Sequence, residues 1–259
     1  MPFEFYFSLI FFSFILGAIV GSFLNVCIFR IPAGRSIVSP PSSCPQCGQA
    51  IRWYQNIPIL SWLALRGRCA SCRGPISFRY PLIEAFNGGL FILVLWYFGF
   101  SWATLVYWVF VSALLTITFI DLDHQIIPDV ISLPGILIGF VCSFAVPWLS
   151  WIDSSLGILL GGGLLLTIAW GYQLLAKREG MGGGDIKLLA MIGAFLGWKA
   201  IFPVIFLASL VGTIIGIPMM LIYRENTRFA LPFGPFLSLA AIVYLFWGGM
   251  IIHWYLGLF

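Results

Sequence analysis

Long apolar runs separated by short polar stretches constrain this chain more than any other feature of its sequence. Hydrophobic residues make up 61% of the 259 residues and charged residues only 8%. A helix that crosses the ~30 Å hydrocarbon core of a bilayer needs about 20 mainly apolar residues. The sequence therefore predicts an all-α membrane protein and excludes an ordinary soluble domain.

The apolar runs predict about eight transmembrane helices. The predicted spans cover residues 5–29, 81–100, 102–120, 130–149, 154–176, 185–198, 200–223 and 229–259. The sixth is unusually short, because only eleven residues separate Lys187 from Lys199. Eleven residues give about 16 Å of helix, so crossing would require local thinning of the bilayer.

The expected domains are a first transmembrane helix at 1–29, a polar insert at 30–79 and a membrane domain at 80–259. The insert carries seven of the thirteen basic residues and no acid. With the insert in the cytoplasm and the spans alternating, twelve basic residues lie inside and only Lys199 lies outside. The positive-inside rule favours this arrangement, which places both termini outside.

The insert contains two Cys-x-x-Cys pairs. Cys44 and Cys47 form the first pair, and Cys69 and Cys72 form the second after twenty-one further residues. Four thiolates at this spacing predict a tetrahedral zinc site with no open position, and hence a structural one. The alternative is two redox dithiols, as in a thiol-disulfide membrane enzyme.

Two aspartate-bearing stretches, 119–129 and 180–187, each follow a long apolar run. An ionisable group at a membrane boundary is expensive, which makes a functional role the first hypothesis. Asp121 directly follows nineteen uncharged residues, and Asp185 follows three glycines. Alternatively, Asp121, Asp123 and Asp129 are solvated loop acids, with Asp129 or Asp185 capping a helix. In the topology above, both stretches lie on the cytosolic side.

Carboxyls are the only credible acid–base pair in the sequence. The chain has two histidines, His124 and His253, which are predicted on opposite sides of the membrane. Neither a His-Glu-x-x-His motif nor a Gly-x-Ser-x-Gly elbow is present. Two carboxyls brought together by helix packing can share one proton, as in aspartic proteases. The alternatives are a cation-coupled transporter with the same acids as ion sites, and a methyltransferase or scaffold without proteolysis.

Several motifs, in order along residues 21–190, resemble those of the type IV prepilin peptidases. Gly180-Met181-Gly182-Gly183-Gly184-Asp185-Ile186-Lys187 is similar to the GxGD signature that this family shares with other intramembrane aspartic proteases. The segment from Asp121 to Asp129 is similar to its first aspartate motif. Further matches are Gly21-Ser22-Phe23-Leu24-Asn25-Val26, the cysteine pairs around Tyr54-Gln55-Asn56-Ile57-Pro58, and Arg79-Tyr80-Pro81-Leu82-Ile83-Glu84.

The resemblance implies that Asp121 and Asp185 form the catalytic pair, with Asp123 as the competitor for the first role. Residues expected to support catalysis are Asp123, Gly182, Gly184 and Lys187, because glycines allow close approach of a substrate backbone. Ser22, Asn25 and Glu84 are candidate substrate-binding residues, for which a packing role is an equally good interpretation.

The resemblance also implies the substrates and the cofactors. Prepilins or pseudopilins would lose a short basic leader at the cytosolic face of the bacterial inner membrane, and acidic residues on that face would attract the leader. The insert would serve an N-methyltransferase activity that uses S-adenosylmethionine on the new N-terminal residue. The expected partners are these substrate proteins and the lipid bilayer, without nucleic acid.

Overall fold

The computed structural model describes residues 3–177, 182–223 and 232–256, and every long regular element among them is a helix. Short 3-10 turns occur at Trp53–Gln55 and Trp198–Ala200. The α-helices in the described part are α1 (Phe3–Arg30), α2 (Leu60–Ala64), α3 (Arg79–Phe98), α4 (Trp102–His124), α5 (Asp129–Cys142), α6 (Trp151–Ala176), α7 (Gly183–Leu196), α8 (Ile201–Tyr223) and α9 (Gly234–Leu256).

Six stretches of the described helices are long and apolar enough to cross a bilayer, namely those in α1, α3, α4, α6, α8 and α9. The prediction of an all-α membrane protein is thereby confirmed. Helices α5 and α7 have 14 residues each, or about 21 Å of helix, which is shorter than the hydrocarbon core. The number eight stays a prediction, and residues 229–231 and 257–259 of the last predicted span lie outside the described residues.

Helix α5 ends earlier than the span predicted at 130–149. Its last residue is Cys142. The hydroxyl of Ser143 then donates to the carbonyl of Phe140 at 2.7 Å, and Pro147 follows. Proline lacks the N–H that would continue the helix and disfavours helical backbone in the residue before it. Hydrophobicity continues past this point although the helix does not.

One compact unit comprises Met1–Thr116, and within it α1 and α3 pack at very short range. A Cβ at Gly17 would lie 2.8 Å from the Cα of Gly88. Small residues allow helices to approach this closely. Close packing of this kind stabilises helix pairs within lipid, where the hydrophobic effect does not drive helices together. The side chain of Asn87 donates to the carbonyl of Gly17 at 2.7 Å and accepts from the hydroxyl of Ser112 at 3.1 Å.

The second compact unit comprises Ile117–Phe259, and α7 forms its centre. Eight successive residues of this helix, Leu188 to Phe195, are buried, mainly against α5 and α6. The hydroxyl of Ser154 donates to the carbonyl of Ala194 at 2.8 Å. A helix that is apolar all round belongs in a protein interior, so neighbouring helices rather than lipid surround this short element.

Candidate functional site

Asp121 lies in the last turn of α4 with only 5% of its surface exposed. Its Oδ2 atom accepts a hydrogen bond from the backbone N–H of Gly234, across 3.0 Å in a buried position. Gly234 is the first residue of α9, where N–H groups have no partner within the helix and the helix dipole is positive. The N-terminus of α9 therefore holds this carboxyl in place.

Gly234 is not among the predicted site residues, because it lies inside the predicted span 229–259. A Cβ at this position would lie 2.6 Å from Oδ2 of Asp121 and 3.2 Å from Cδ1 of Ile127. Only glycine fits without a shift of these neighbours. The available signal was the Pro232-Phe233-Gly234-Pro235 sequence, because proline is common at the start of a helix.

Asp185 lies in the first turn of α7 and is half-buried. It lies close enough to Asp121 for their charges to interact. Gly184 packs on Ile127, and a Cβ at Gly184 would lie 2.8 Å from the Cβ of that isoleucine. Ile127 therefore meets glycines at the starts of both α7 and α9, and this packing brings both helix starts to the end of α4.

The remaining residues of the two aspartate motifs have other surroundings. Asp123 is exposed, because it lies two positions from Asp121 and so on another face of α4. Lys187 donates to both carboxylate oxygens of Asp129 at 2.7 Å. The N-cap of α5 is Pro128 rather than Asp129, and no side-chain capping bond forms there. The interpretation of Asp129 as a cap is therefore wrong, and its side chain instead joins α5 to α7.

Gly182 is the exposed N-cap of α7, and its backbone is extended. No side chain caps this helix start. The interpretation of Asp185 as a helix cap is therefore wrong as well, because Asp185 lies within the helix. Gly180 and Met181, the first residues of the signature, lie outside the described residues.

The four predicted cysteine ligands form one cluster. The Sγ atoms of Cys44, Cys47, Cys69 and Cys72 all lie within 4.8 Å of one another. The Sγ atoms of Cys44 and Cys72 are 3.8 Å apart, and all four cysteines are free thiols. Four sulfur donors grouped in this way can hold a metal ion.

The two cysteine turns share one hydrogen-bond pattern. The N–H of Cys44 donates to the carbonyl of Gln49, and the N–H of Cys69 donates to the equivalent carbonyl of Gly74, at 2.9 and 2.8 Å. In the first turn, the backbone N–H groups of Cys47 and then Gln46 lower the pKa of Cys44 to about 6. A thiolate is the form that binds metal, so the turn itself prepares this ligand.

Ser22, Asn25 and Glu84 belong to the other compact unit, Met1–Thr116. They line a cavity of about 520 Å³ between α1, α3 and the insert. Asn25 donates to the carbonyl groups of Gly21 and Tyr80 at 3.3 and 3.2 Å. These bonds give Asn25 a packing role between helices and leave its candidate substrate role untested.

The described residues define a helical membrane protein that carries an interacting pair of carboxyls and, in a different unit, a cluster of four thiols. Comparison with known proteins makes the identification more specific. Residues 15–98 match the bacterial peptidase A24 N-terminal domain, and residues 108–217 match the type IV leader peptidase family. The chain belongs to the type IV leader peptidase family.

Curated relatives support this membership over nearly the whole chain, and each is named a prepilin leader peptidase/N-methyltransferase. The protein of Stutzerimonas stutzeri is 38% identical over 93% of this chain and 92% of its own length. That of Aeromonas hydrophila is 38% identical over 97% and 94%, and that of Neisseria gonorrhoeae is 39% identical over 87% and 86%. No solved structure matches the chain. The family resemblance seen in the sequence is confirmed.

Proposed function

We propose that this chain removes the leader of type IV prepilins or pseudopilins as an aspartic endopeptidase and then N-methylates the new N-terminal residue. Family membership and the names of the relatives support both activities. The structural observation that carries the peptidase assignment is the carboxyl pair. Asp121 is buried, is held by the N–H of Gly234 and interacts electrostatically with Asp185.

Two neighbouring carboxyls cannot easily both ionise, so the pair shares one proton. Because a backbone N–H can only donate, Oδ2 of Asp121 is an acceptor. An unprotonated carboxyl oxygen is the better acceptor, so this bond favours the shared proton on Oδ1 of Asp121 or on Asp185. Either location leaves one carboxylate as general base and one carboxyl as general acid.

The reaction follows from this division of roles. The carboxylate takes a proton from water while the water oxygen attacks the scissile carbonyl carbon. The carboxylic acid donates its proton to the carbonyl oxygen as negative charge develops there. When the C–N bond breaks, one member of the pair donates a proton to the leaving amine and the other takes a proton from a hydroxyl of the intermediate, so the pair again holds one proton. No acyl-enzyme forms.

The supporting glycines and Lys187 have two roles in this proposal. Gly182 lies exposed at the start of α7, where an extended substrate backbone can approach closely. Gly184 and Lys187 position α7 through Ile127 and Asp129. The exposure of Asp123 favours Asp121 for the first catalytic role.

Cys44, Cys47, Cys69 and Cys72 would hold a structural Zn²⁺, because their four thiolates fill a tetrahedral shell. The metal would join the two cysteine turns into one folded insert at 30–79, and this insert would serve methyl transfer while residues 80–259 serve proteolysis. S-adenosylmethionine would supply the methyl group to the lone pair of the free α-amine. The C–S bonding electrons would stay on sulfur, and the amine would release one proton to water.

The proposed location is the bacterial inner membrane, with eight spans, both termini outside and the carboxyl pair at the cytosolic face. The distribution of basic residues supports this orientation. Helices α5 and α7 would complete the count, because α7 is enclosed by protein rather than lipid. The proposed partners are prepilins or pseudopilins and the bilayer, with no nucleic acid.

Separate Asp121→Asn and Asp185→Asn variants test the peptidase proposal. We expect each to abolish leader removal from a prepilin while still methylating a pilin whose leader has already been removed. Asp153→Asn is the matched control, because Asp153 lies in the first turn of α6 and hydrogen-bonds Ser150 and Trp198 instead. Leader removal at the wild-type rate by both Asp121→Asn and Asp185→Asn would exclude the carboxyl pair.

A further inference from the structure

The cavity in the unit Met1–Thr116 has the dimensions of a small-molecule site. Its volume of about 520 Å³ lies within the range of roughly 300–1,000 Å³ that is usual for ligand pockets. From α1 it is lined by Ser22, Asn25, Val26 and Phe29, whose spacing of three, four and seven residues puts them on one face of the helix. The insert closes the other side.

Glu84 contributes the acidic group of this cavity. Apart from Glu4, it is the only acid in the first 120 residues. It is only 7% exposed and lies in the cavity wall. Its carboxylate accepts the backbone N–H of Ile59 at 2.7 Å and a hydrogen bond from Ser22. A buried carboxylate is costly unless hydrogen bonds compensate for lost water, and here two donors hold the charge in the cavity wall.

The segment that hydrogen-bonds Glu84 has strained backbone at Ile59. Ile59 has φ 62° and ψ −51°, and the N–H of Leu60 donates to the carbonyl of Pro58 at 2.5 Å. These values describe the rare classic γ-turn. A positive φ is a strong outlier for a β-branched residue, and such strain concentrates at functional sites. The turn aims the N–H of Ile59 at Glu84.

The side chain of Ser61 stabilises the segment that contains Ile59. Its buried hydroxyl accepts the N–H of Ile57 at 3.0 Å and donates to the carbonyl of Tyr54 at 2.9 Å. Residues 54–61 are therefore held as a preformed surface rather than as a loose loop. Preformed walls are characteristic of small-molecule sites.

The cavity also contains positive charge, at a distance from Glu84. Glu84 packs beside Gly21 of α1, since a Cβ at Gly21 would lie 2.7 Å from the Cα of Glu84. Arg30, which also lines the cavity, follows nine residues later, or about 14 Å along the helix axis. Trp62 and Tyr80 add aromatic surface to the lining. The cavity therefore suits an elongated ligand with a cationic group, a carboxylate and a flat ring.

We propose that this cavity binds S-adenosylmethionine with its sulfonium group facing Glu84 and its carboxylate towards Arg30. The inference rests on the proposed methyltransferase function and gives that function a site. A guanidinium is the preferred partner of a carboxylate, and an aromatic side chain offers a face for the adenine ring. The strained turn at Ile59 would position Glu84 before the ligand arrives.

The decisive experiment compares two ligands on two proteins. Calorimetric titration of the purified full chain in detergent gives the Kd of S-adenosylmethionine and of S-adenosylhomocysteine, which differ by the methyl group and the positive charge on sulfur. We expect Glu84→Gln to weaken binding of S-adenosylmethionine at least tenfold, and binding of S-adenosylhomocysteine several-fold less.

Equal weakening of both ligands would overturn the proposal, because it would mean that Glu84 only holds the loop at Ile59. Unchanged affinity for both would overturn it as well. Asp153→Asn is the matched control, since it removes one carboxylate from the other unit and should change neither Kd. Wild-type methylation of a pilin, with either of the overturning results, would leave the proposed function standing and remove only the site.

Photo-crosslinking provides a test that does not depend on a variant. Ultraviolet irradiation of the wild-type protein with methyl-tritiated S-adenosylmethionine should label peptides that contain residues 54–62 or 76–84. Excess unlabelled S-adenosylhomocysteine should prevent this labelling. Label confined to peptides from Ile117–Phe259 would overturn the proposal.

Discussion

The backbone N–H of Gly234 donates to Oδ2 of Asp121 across 3.0 Å, although 113 positions separate the two residues in sequence. The bond connects the first residue of α9 to the last turn of α4. It occupies one carboxylate oxygen and leaves Oδ1 for water or for the shared proton. The geometry of the carboxyl pair therefore depends on a backbone N–H at the start of α9.

Gly234→Ala tests this dependence. The added Cβ would lie 2.6 Å from Oδ2 of Asp121, so the carboxyl or the helix must move. A displacement of about 1 Å at a catalytic group can cost 10²-fold in rate. We expect kcat for leader removal to fall about 100-fold with little change in KM, and methylation of a pilin without its leader to continue, both measured on purified protein.

Gly249→Ala is the matched control, because Gly249 is in the same helix and a Cβ there meets nothing within 4 Å. Its kcat should equal that of the wild type. If the two variants lose activity equally, helix flexibility rather than the contact with Asp121 is responsible. Full activity of Gly234→Ala would show that the contact has no part in catalysis.

Asp123→Asn separates the two candidates for the first catalytic role. Asp123 is exposed, whereas Asp121 is buried and held by a backbone donor. We expect Asp123→Asn to retain leader removal within about threefold of the wild type, and Asp121→Asn to lose at least 10³-fold, in the range expected when a general acid or base is removed. Leader removal is measured by the change in pilin mobility on a gel. A larger loss of activity in Asp123→Asn than in Asp121→Asn would transfer the role to Asp123.

The sequence predicted the cysteine cluster well, because its ligands occur as local pairs whose spacing fixes the chemistry. It also singled out Asp121 and Asp185, because their carboxyls stand out against apolar surroundings, and their catalytic role stays a prediction. Gly234 has no side chain to mark it, and its role arises from a long-range backbone contact. The γ-turn at Ile59 was not predicted either, because isoleucine has no propensity for that conformation.

The boundaries of short helices were harder to predict than their existence. The spacing of Lys187 and Lys199 correctly predicted that α7 is short, and burial of Leu188 to Phe195 explains why a short helix is stable there. Hydropathy alone extended α5 beyond Cys142, although Ser143 and Pro147 provide local stop signals. Apolar composition reports burial in lipid or protein, and does not distinguish helix from irregular backbone inside a membrane protein.

Substitution of a cluster cysteine should remove the metal. We expect purified wild-type protein to contain about one zinc per chain by mass spectrometry, and Cys44→Ser to contain much less, because three thiolates cannot complete the closed site. Limited proteolysis should then cut within residues 44–72. Cys142→Ser is the control, since Cys142 ends α5 and lies outside the cluster. Normal zinc content in Cys44→Ser would exclude Cys44 as a ligand.

The ion pair between Lys187 and Asp129 should make a small contribution to stability. Both side chains are partly exposed, at 37% and 55%, and exposed pairs contribute about 0.2–1 kcal/mol. We expect Lys187→Ala to lower the unfolding midpoint in detergent slightly. The charge swap Asp129→Lys with Lys187→Asp should recover most of that loss, whereas each single change should not. A swap no more stable than the single variants would show that the pair has no coupling.

Gly184→Ala tests how α7 brings Asp185 to Asp121. A Cβ at Gly184 would lie 2.8 Å from the Cβ of Ile127, whereas a Cβ at Gly183 meets nothing within 4 Å. Alanine also has the higher helix propensity of the two residues, so both variants favour the helix equally and differ only in this contact. We expect Gly184→Ala to reduce the rate of leader removal at least tenfold and Gly183→Ala to remain near the wild type. Equal activity of the two variants would mean that α7 tolerates displacement at Ile127, and that Asp185 is positioned by its buried residues from Leu188 onward instead.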